Sequence, residues 1–183
     1  MTLRNYLQSR GVKFGENLNA WTAIDQTVYM VTNVQTDLPG LVDTCLLILH
    51  DWSSFIALED EEIDNERGVI LEEERTTGGA NRRVMETLLP KMYPGSPYGE
   101  RLPIGLKEVI ANFSYQDLRD YYHKWYRPDL QGIIVVGDID VDAIEARIKE
   151  MFADIPAPVN PAERTQFMIE DNAEPIVAVA SDA

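Results

Sequence analysis

The 183 residues carry 31 acidic against 16 basic side chains, and this net charge of −15 works against nucleic acid or an anionic membrane surface as partner. An apolar fraction of 45% suffices for a packed core, and no apolar run approaches the roughly 20 residues of a transmembrane helix. A single cysteine, Cys45, rules out an internal disulfide and leaves the redox compartment undecided; its apolar neighbours mark it as a small core residue.

In chain order, Thr2 is a suitable N-cap for a short helix through Leu3, Tyr6 and Leu7 that Gly11 closes. Residues 13–22 turn strand-like, and residues 27–34 are rich in β-branched and aromatic side chains. With only residues 23–26 between them, the two predict a hairpin. Asp37 then predicts the cap of a helix with Pro39 in its first turn and Leu41, Val42, Cys45, Leu46, Leu49 and Trp52 at helical spacing. An acidic helix is expected from Glu59 or Asp60 to about Thr77; Gly78 and Gly79 break it before a further helical stretch up to Pro90.

Residues 93–105 hold three prolines and three glycines and read as a loop. A short helix over residues 106–110 follows, and Ser114 with Asp117 has the spacing of a capping box for a helix to about Trp125. Residues 131–138 read as a buried strand with a glycine turn, and residues 142–152 as an amphipathic helix. The proline-rich stretch 156–161 is a stiff linker, after which residues 166–169 and 176–179 look like the first two strands of another unit. This mixture predicts an α+β fold. Both ends read as cut, the first directly in a helical pattern and the last on an unpaired apolar strand, so the chain is expected to be a piece of a longer protein.

The acidic helix poses the chemical question. Glu66 and Glu73 stand seven residues apart, nearly two full turns, so both carboxylates leave one face about 10 Å apart along the axis. Ile63 and Ile70 lie near the same stripe, which predicts an inward-looking face. An unpaired buried charge costs several kcal/mol, so carboxylates there need partners, and a metal ion, or a histidine bound to one, would be such a partner. The competing reading is a solvated acidic face. His50, at the end of the apolar helix, reads as a packed or dipole-stabilised residue, and His123 as an exposed one. The sequence holds no phosphate-binding glycine loop, nucleophile elbow or Cys/His metal cluster.

The text Glu66-Arg67-Gly68-Val69-Ile70-Leu71-Glu72-Glu73 resembles the distal zinc-ligand segment of the insulinase/pitrilysin family of inverted-motif zinc peptidases. Four further pieces resemble that family in the same order: Asn19-Ala20-Trp21-Thr22 with Thr27-Val28-Tyr29, Ser96-Pro97-Tyr98 with Arg101-Leu102-Pro103-Ile104-Gly105, Trp125-Tyr126-Arg127-Pro128, and Val135-Val136-Gly137-Asp138. Within the family the likeness is greatest to the large bacterial zinc proteases.

The resemblance implies one mitochondrial-processing-peptidase-like metallohydrolase domain at residues 1–155, truncated at its N-terminus. A linker at 156–164 and the first strands of a second homologous unit at 165–183 follow. It implies Glu73 as the third protein ligand of a catalytic zinc and Glu66 as the acid that holds a ligand histidine. Zinc–carboxylate bonds of about 2 Å make such a division reasonable for two acids two turns apart. Asn19, Ala20 and Trp21 would lie on the edge strand where a peptide substrate adds as an extra strand.

The family's His-Xaa-Xaa-Glu-His, which supplies two zinc ligands and the general base, is absent from the sequence and is expected just upstream of Met1. The chain alone therefore holds no catalytic base, and is expected to bind zinc weakly or not at all and to cleave nothing. Expected partners are a peptide or protein substrate, the second homologous half, and further copies of the chain through an open sheet edge. The compartment is undecided from these residues; for a bacterial full-length protein of this kind it would be the periplasm or cell envelope. Two other readings stand beside this one: a non-catalytic half serving as a binding or structural module, and an acidic interaction domain unrelated to proteolysis.

Overall fold

A computed structural model describes residues 3–169 and 171–181; Thr2, the expected first cap, lies outside them. Helix α1 (Leu3–Ser9) leads into strands β1 (Leu18–Thr22) and β2 (Thr27–Val31). Helices α2 (Leu41–Ser54), α3 (Asp60–Thr77) and α4 (Ala80–Met92) follow, then the single turn α5 (Pro97–Glu100) and α6 (Lys107–Asn112). Helices α7 (Tyr115–Trp125) and α8 (Val141–Met151) complete the series. The chain divides into two units. One runs through Thr22 and continues over Thr27–Ala57 and Arg119–Ala162; the other takes Ala23–Gln26, Leu58–Leu118 and the residues from Glu163 on.

The core of the first unit follows from helical spacing. Leu41, Cys45 and Ile48 stand at i, i+4 and i+7 of α2 and are buried with Leu7, Val12 and Leu18. Each large apolar side chain so buried contributes about 1.5–3 kcal/mol. Cys45 is the core residue expected, and burial pushes its thiol pKa up. Helix α2 begins four residues after Asp37, because Gly40 takes a left-handed conformation (φ 74°) and Leu38 accepts the Leu41 N–H in a tight turn. Strands β1 and β2 form the expected antiparallel hairpin, Ala20 facing Tyr29 and Trp21 facing Val28. Tyr122 of α7 and Tyr126, just past its end, bind this unit further. Tyr122 donates to the Trp52 carbonyl at 2.9 Å, and the hydroxyls of Tyr126 and Tyr29 meet at 2.6 Å.

In the second unit α3 packs on α6, and α4 on α5. Helix α3 runs as the sequence predicts. Helix α4 continues two residues past Pro90, which in a last turn forfeits only one backbone bond. The expected loop 93–105 contains α5, and its Gly99 is buried against the Tyr93 and Leu89 carbonyls. The capping box is present: the Asp117 carboxylate accepts the Ser114 N–H at 2.8 Å and its hydroxyl at 2.7 Å, and Ser114 Oγ accepts the Asp117 N–H at 3.2 Å.

Several expectations need correction. Residues 131–138 do not form a buried strand: they make no ladder, and Ile134 and Val136 are 87% and 90% exposed. An apolar run becomes a central strand only beside partners, and among the described residues the sheet is the two-stranded pair of β1 and β2. Only residues 18–22 of the expected strand 13–22 are extended in the hairpin, because the preceding loop folds back and Phe14 bridges to Leu18. The face of α3 bearing Glu66 and Glu73 does not look inward either. Ile63 is buried, yet both glutamates are exposed, since at 100° per residue they stand about 60° and 80° around the helix from Ile63 and the buried strip is narrow. Residues 166–169 and 176–179 make no strand ladder among the described residues.

Candidate functional site

Helix α3 starts with Asp60, Glu61 and Glu62, where its dipole favours negative charge, and carries Arg75 in its last turn. Past the first turn its acids divide sharply. Asp64 accepts the Tyr115 hydroxyl at 2.6 Å. Glu72 is bound by Arg75 at 2.8 and 2.5 Å, which holds its carboxyl below the usual range. Glu74 is partly buried against Arg82 at 3.1 Å, because α4 brings that guanidinium back across the end of α3. The carboxylates of Glu66 and Glu73 have no hydrogen-bond or ion-pair partner among the described residues, and Glu73 is engaged only through its backbone, whose carbonyl accepts the Thr76 and Thr77 hydroxyls. Two bare carboxylates thus point from one side of a helix whose neighbouring acids are neutralised internally.

Arg67, beside Glu66, anchors the helix. Its guanidinium donates to the carbonyls of Ile110 and Phe113, the latter at 3.1 Å, and lies 4.0 Å above the Phe113 ring. It thereby caps the C-terminal carbonyls of α6, which a helix end leaves without partners. Sequence reasoning missed this role, although an arginine inside an acidic run, one residue from a candidate ligand, was the available signal.

Asn19, Ala20 and Trp21 are exposed on β1, Trp21 at 44%. Asn17 accepts the Thr32 N–H at 2.9 Å, so odd-numbered positions of β1 bond to β2 and even-numbered ones turn outward. Leu18 faces the free edge but is already bonded to the loop at Lys13 and Gly15. Ala20 is therefore the first open backbone position, and its N–H is held by the Asn19 side-chain oxygen at 2.8 Å. Asn19, Ala20 and Trp21 belong to one unit, Glu66 and Glu73 to the other.

His50 is a packed residue, as expected, with both ring nitrogens engaged: Nδ1 lies 3.0 Å from Asp51 and Nε2 2.9 Å from Asp154. His123 is exposed. Among the described residues no three His, Cys, Asp or Glu side chains are gathered to hold a metal ion. No helix of the described residues is long and apolar enough to cross a membrane.

Comparison with known proteins places this arrangement in a family. Residues 3–102 match the profile described as insulinase (peptidase family M16), and residues 112–182 match the one described as the peptidase M16 inactive domain. The probable zinc protease PqqL of Escherichia coli is 37% identical over 150 residues, covering 82% of this chain and 16% of that protein. The zinc protease PQQL-like of Arabidopsis thaliana is 34% identical over 170 residues, covering 92% of this chain and 18% of that protein. The crystal structure of the first half of the periplasmic protease PqqL from Escherichia coli superposes with a TM-score of 0.80 at 34% identity, over 89% of this chain and 35% of that one. The chain thus spans under a fifth of the length of these curated relatives. With one profile alone matching residues 3–102 and a second continuing to 182, the chain belongs to the insulinase family, peptidase family M16.

Proposed function

We propose that these residues are part of a zinc-dependent metalloendopeptidase, contributing its distal glutamate ligand and the strand on which the peptide substrate lies. The observation that carries the reading is the pair of unpartnered carboxylates in the family's ligand segment, Glu66 and Glu73, on a helix that pairs its other mid-helix acids. In it Glu73 donates an oxygen to zinc, and Glu66 accepts an N–H from a ligand histidine and so fixes that ring's tautomer. The zinc, when bound, polarises the scissile carbonyl and lowers the pKa of water. Ala20 offers its outward carbonyl to an extended peptide, and its N–H once the Asn19 side chain gives it up; such a peptide binds largely through main-chain hydrogen bonds and with little side-chain selectivity.

The donor set fits zinc only in part: one or two carboxylate oxygens and no imidazole. The two histidines and the general base must come from a His-Xaa-Xaa-Glu-His outside these 183 residues, and the chain alone is inactive in this reading. Residues 1–155 would form the catalytic-half domain, 156–164 a linker, and 165–183 the first strands of the homologous unit that completes the enzyme. The periplasmic Escherichia coli relative supports a bacterial periplasmic location. The outer edge of β1 is the open sheet edge through which copies of the chain would associate.

Zinc content and peptide cleavage of the full-length protein test the reading. Glu73→Gln should abolish both, and Glu66→Gln should lower zinc affinity by about 10–100-fold. Unchanged zinc binding and cleavage in Glu73→Gln would refute it. A non-catalytic half is the second reading, favoured by the inactive-domain match over residues 112–182. It requires that the full-length protein, with its zinc content measured, cleave no peptide at all.

A further inference from the structure

Residues 154–162 close the first unit as a proline-rich segment that is fastened at its two ends. Asp154 Oδ1 lies 2.9 Å from His50 Nε2, and the other ring nitrogen, Nδ1, lies 3.0 Å from Asp51 Oδ1. The His50 ring is 7% exposed, stacked on Phe55 at 4.7 Å and met edge-on by Phe152 at 5.3 Å. Ile155 is buried next to this anchor. Pro156, Ala157 and Pro158 then line one side of an open groove of about 260 Å³ that Phe55, Tyr122 and Tyr126 also line. At the far end the buried Arg127 donates from Nη2 to the Ala162 carbonyl at 2.7 Å and faces Asp129 at 3.1 Å.

We propose that residues 154–162 are a strap held to this unit at both ends, by a proton-dependent anchor at His50–Asp154 and a permanent one at Arg127–Ala162. The dependence follows from donor counting. A neutral imidazole has one N–H, so one of its two carboxylate contacts would set lone pair against lone pair; the imidazolium satisfies both. The charged groups facing His50 are Asp51 from α2 and Asp154 from the segment after α8, and the remaining faces are aromatic. Burial alone pulls the imidazole pKa down, but the hydrogen bonds and charges of Asp154 and Asp51 outweigh it and leave it raised. With a raised folded value, the anchor is complete below about pH 6.5 and is lost as pH rises through that folded value. Arg127 stays charged throughout. Rising pH therefore frees the near end of the strap while Ala162 stays pinned.

Hydrogen exchange of the 183-residue chain from pH 5.5 to 8.5, corrected for intrinsic rates, tests the strap. Protection of the amides at 153–155 should fall about tenfold across this range, the worth of a charge-assisted hydrogen bond, while the core of α2 keeps its protection. Asp154→Asn, at an exposed carboxylate that need not disturb folding, should show low protection at every pH. Ring ¹⁵N shifts should report both His50 nitrogens protonated at pH 6. Protection that ignores pH, an Asp154→Asn variant that keeps the wild-type profile, a neutral ring at pH 6, or equal loosening of the α2 core would each overturn the proposal.

Discussion

Replacing Arg67 by alanine removes the one side chain that serves the C-terminal carbonyls of α6 from α3. Its guanidinium makes hydrogen bonds to Ile110 and Phe113 carbonyls and stacks on the Phe113 ring, with the side chain only 14% exposed. Each charge-assisted bond to a carbonyl is worth about 1.5–3 kcal/mol, and the ring contact adds about 0.5–1 kcal/mol. The 3.4 Å contact to the half-exposed Asp64 adds little, because Tyr115 still holds that carboxylate. The expected loss is about 3.5–7 kcal/mol, which for a chain of this size lowers Tm by roughly 7–28 °C. Urea denaturation followed by circular dichroism gives the free energy directly. Arg67→Lys should recover less than half, since an ammonium cannot reach two carbonyls and stack at once. A loss under about 1 kcal/mol, or a lysine variant as stable as the wild type, would refute the capping role. The same variant in the full-length protein should weaken zinc binding, because the helix that presents Glu66 and Glu73 loses its anchor.

Two further outcomes follow from local geometry. Gly99→Ala should cost at least about 1–3 kcal/mol in thermal unfolding, because a Cβ there would stand 2.5 Å from the Tyr93 carbonyl oxygen and 3.0 Å from that of Leu89, both backbone atoms; an unshifted Tm would mean the α4–α5 approach is looser than described. Asp117 accepts two hydrogen bonds from Ser114, which hold its carboxyl below the usual range, so the cap of α7 stabilises the fold above about pH 4 and is lost as pH falls through the lower folded value. Asp117→Asn should remove that part of the acid dependence, measured as stability against pH between about 2 and 5, and an unaltered acid limb would count against the cap.

Most of the helical text was legible in advance because its signals are local. The acidic run of α3, the glycine pair after it, the Ser114–Asp117 box and the apolar positions of α2 each act within a turn or two of themselves. The hairpin was legible for the same reason, since a four-residue connection forces the two strands together. Residues 131–138 were misread because strand character depends on what lies alongside, and that information is not in the strand's own letters. The start of α2 was misjudged because a left-handed Gly40 moved the cap past Asp37.

By itself the sequence determined the order of helices and hairpin, the family segment around Glu66 and Glu73, and the core role of Cys45. It could do so because periodicity, caps and short turns are properties of neighbours in the chain. Only the tertiary structure decided which acids of α3 are spoken for and which are bare, that Arg67 caps a helix more than forty residues away, that β1 turns Ala20 rather than Trp21 to its open edge, and that His50 closes on Asp154. Each of these rests on a partner brought close by folding, and charge, hydrogen bonding and burial are decided by who the neighbour in space is.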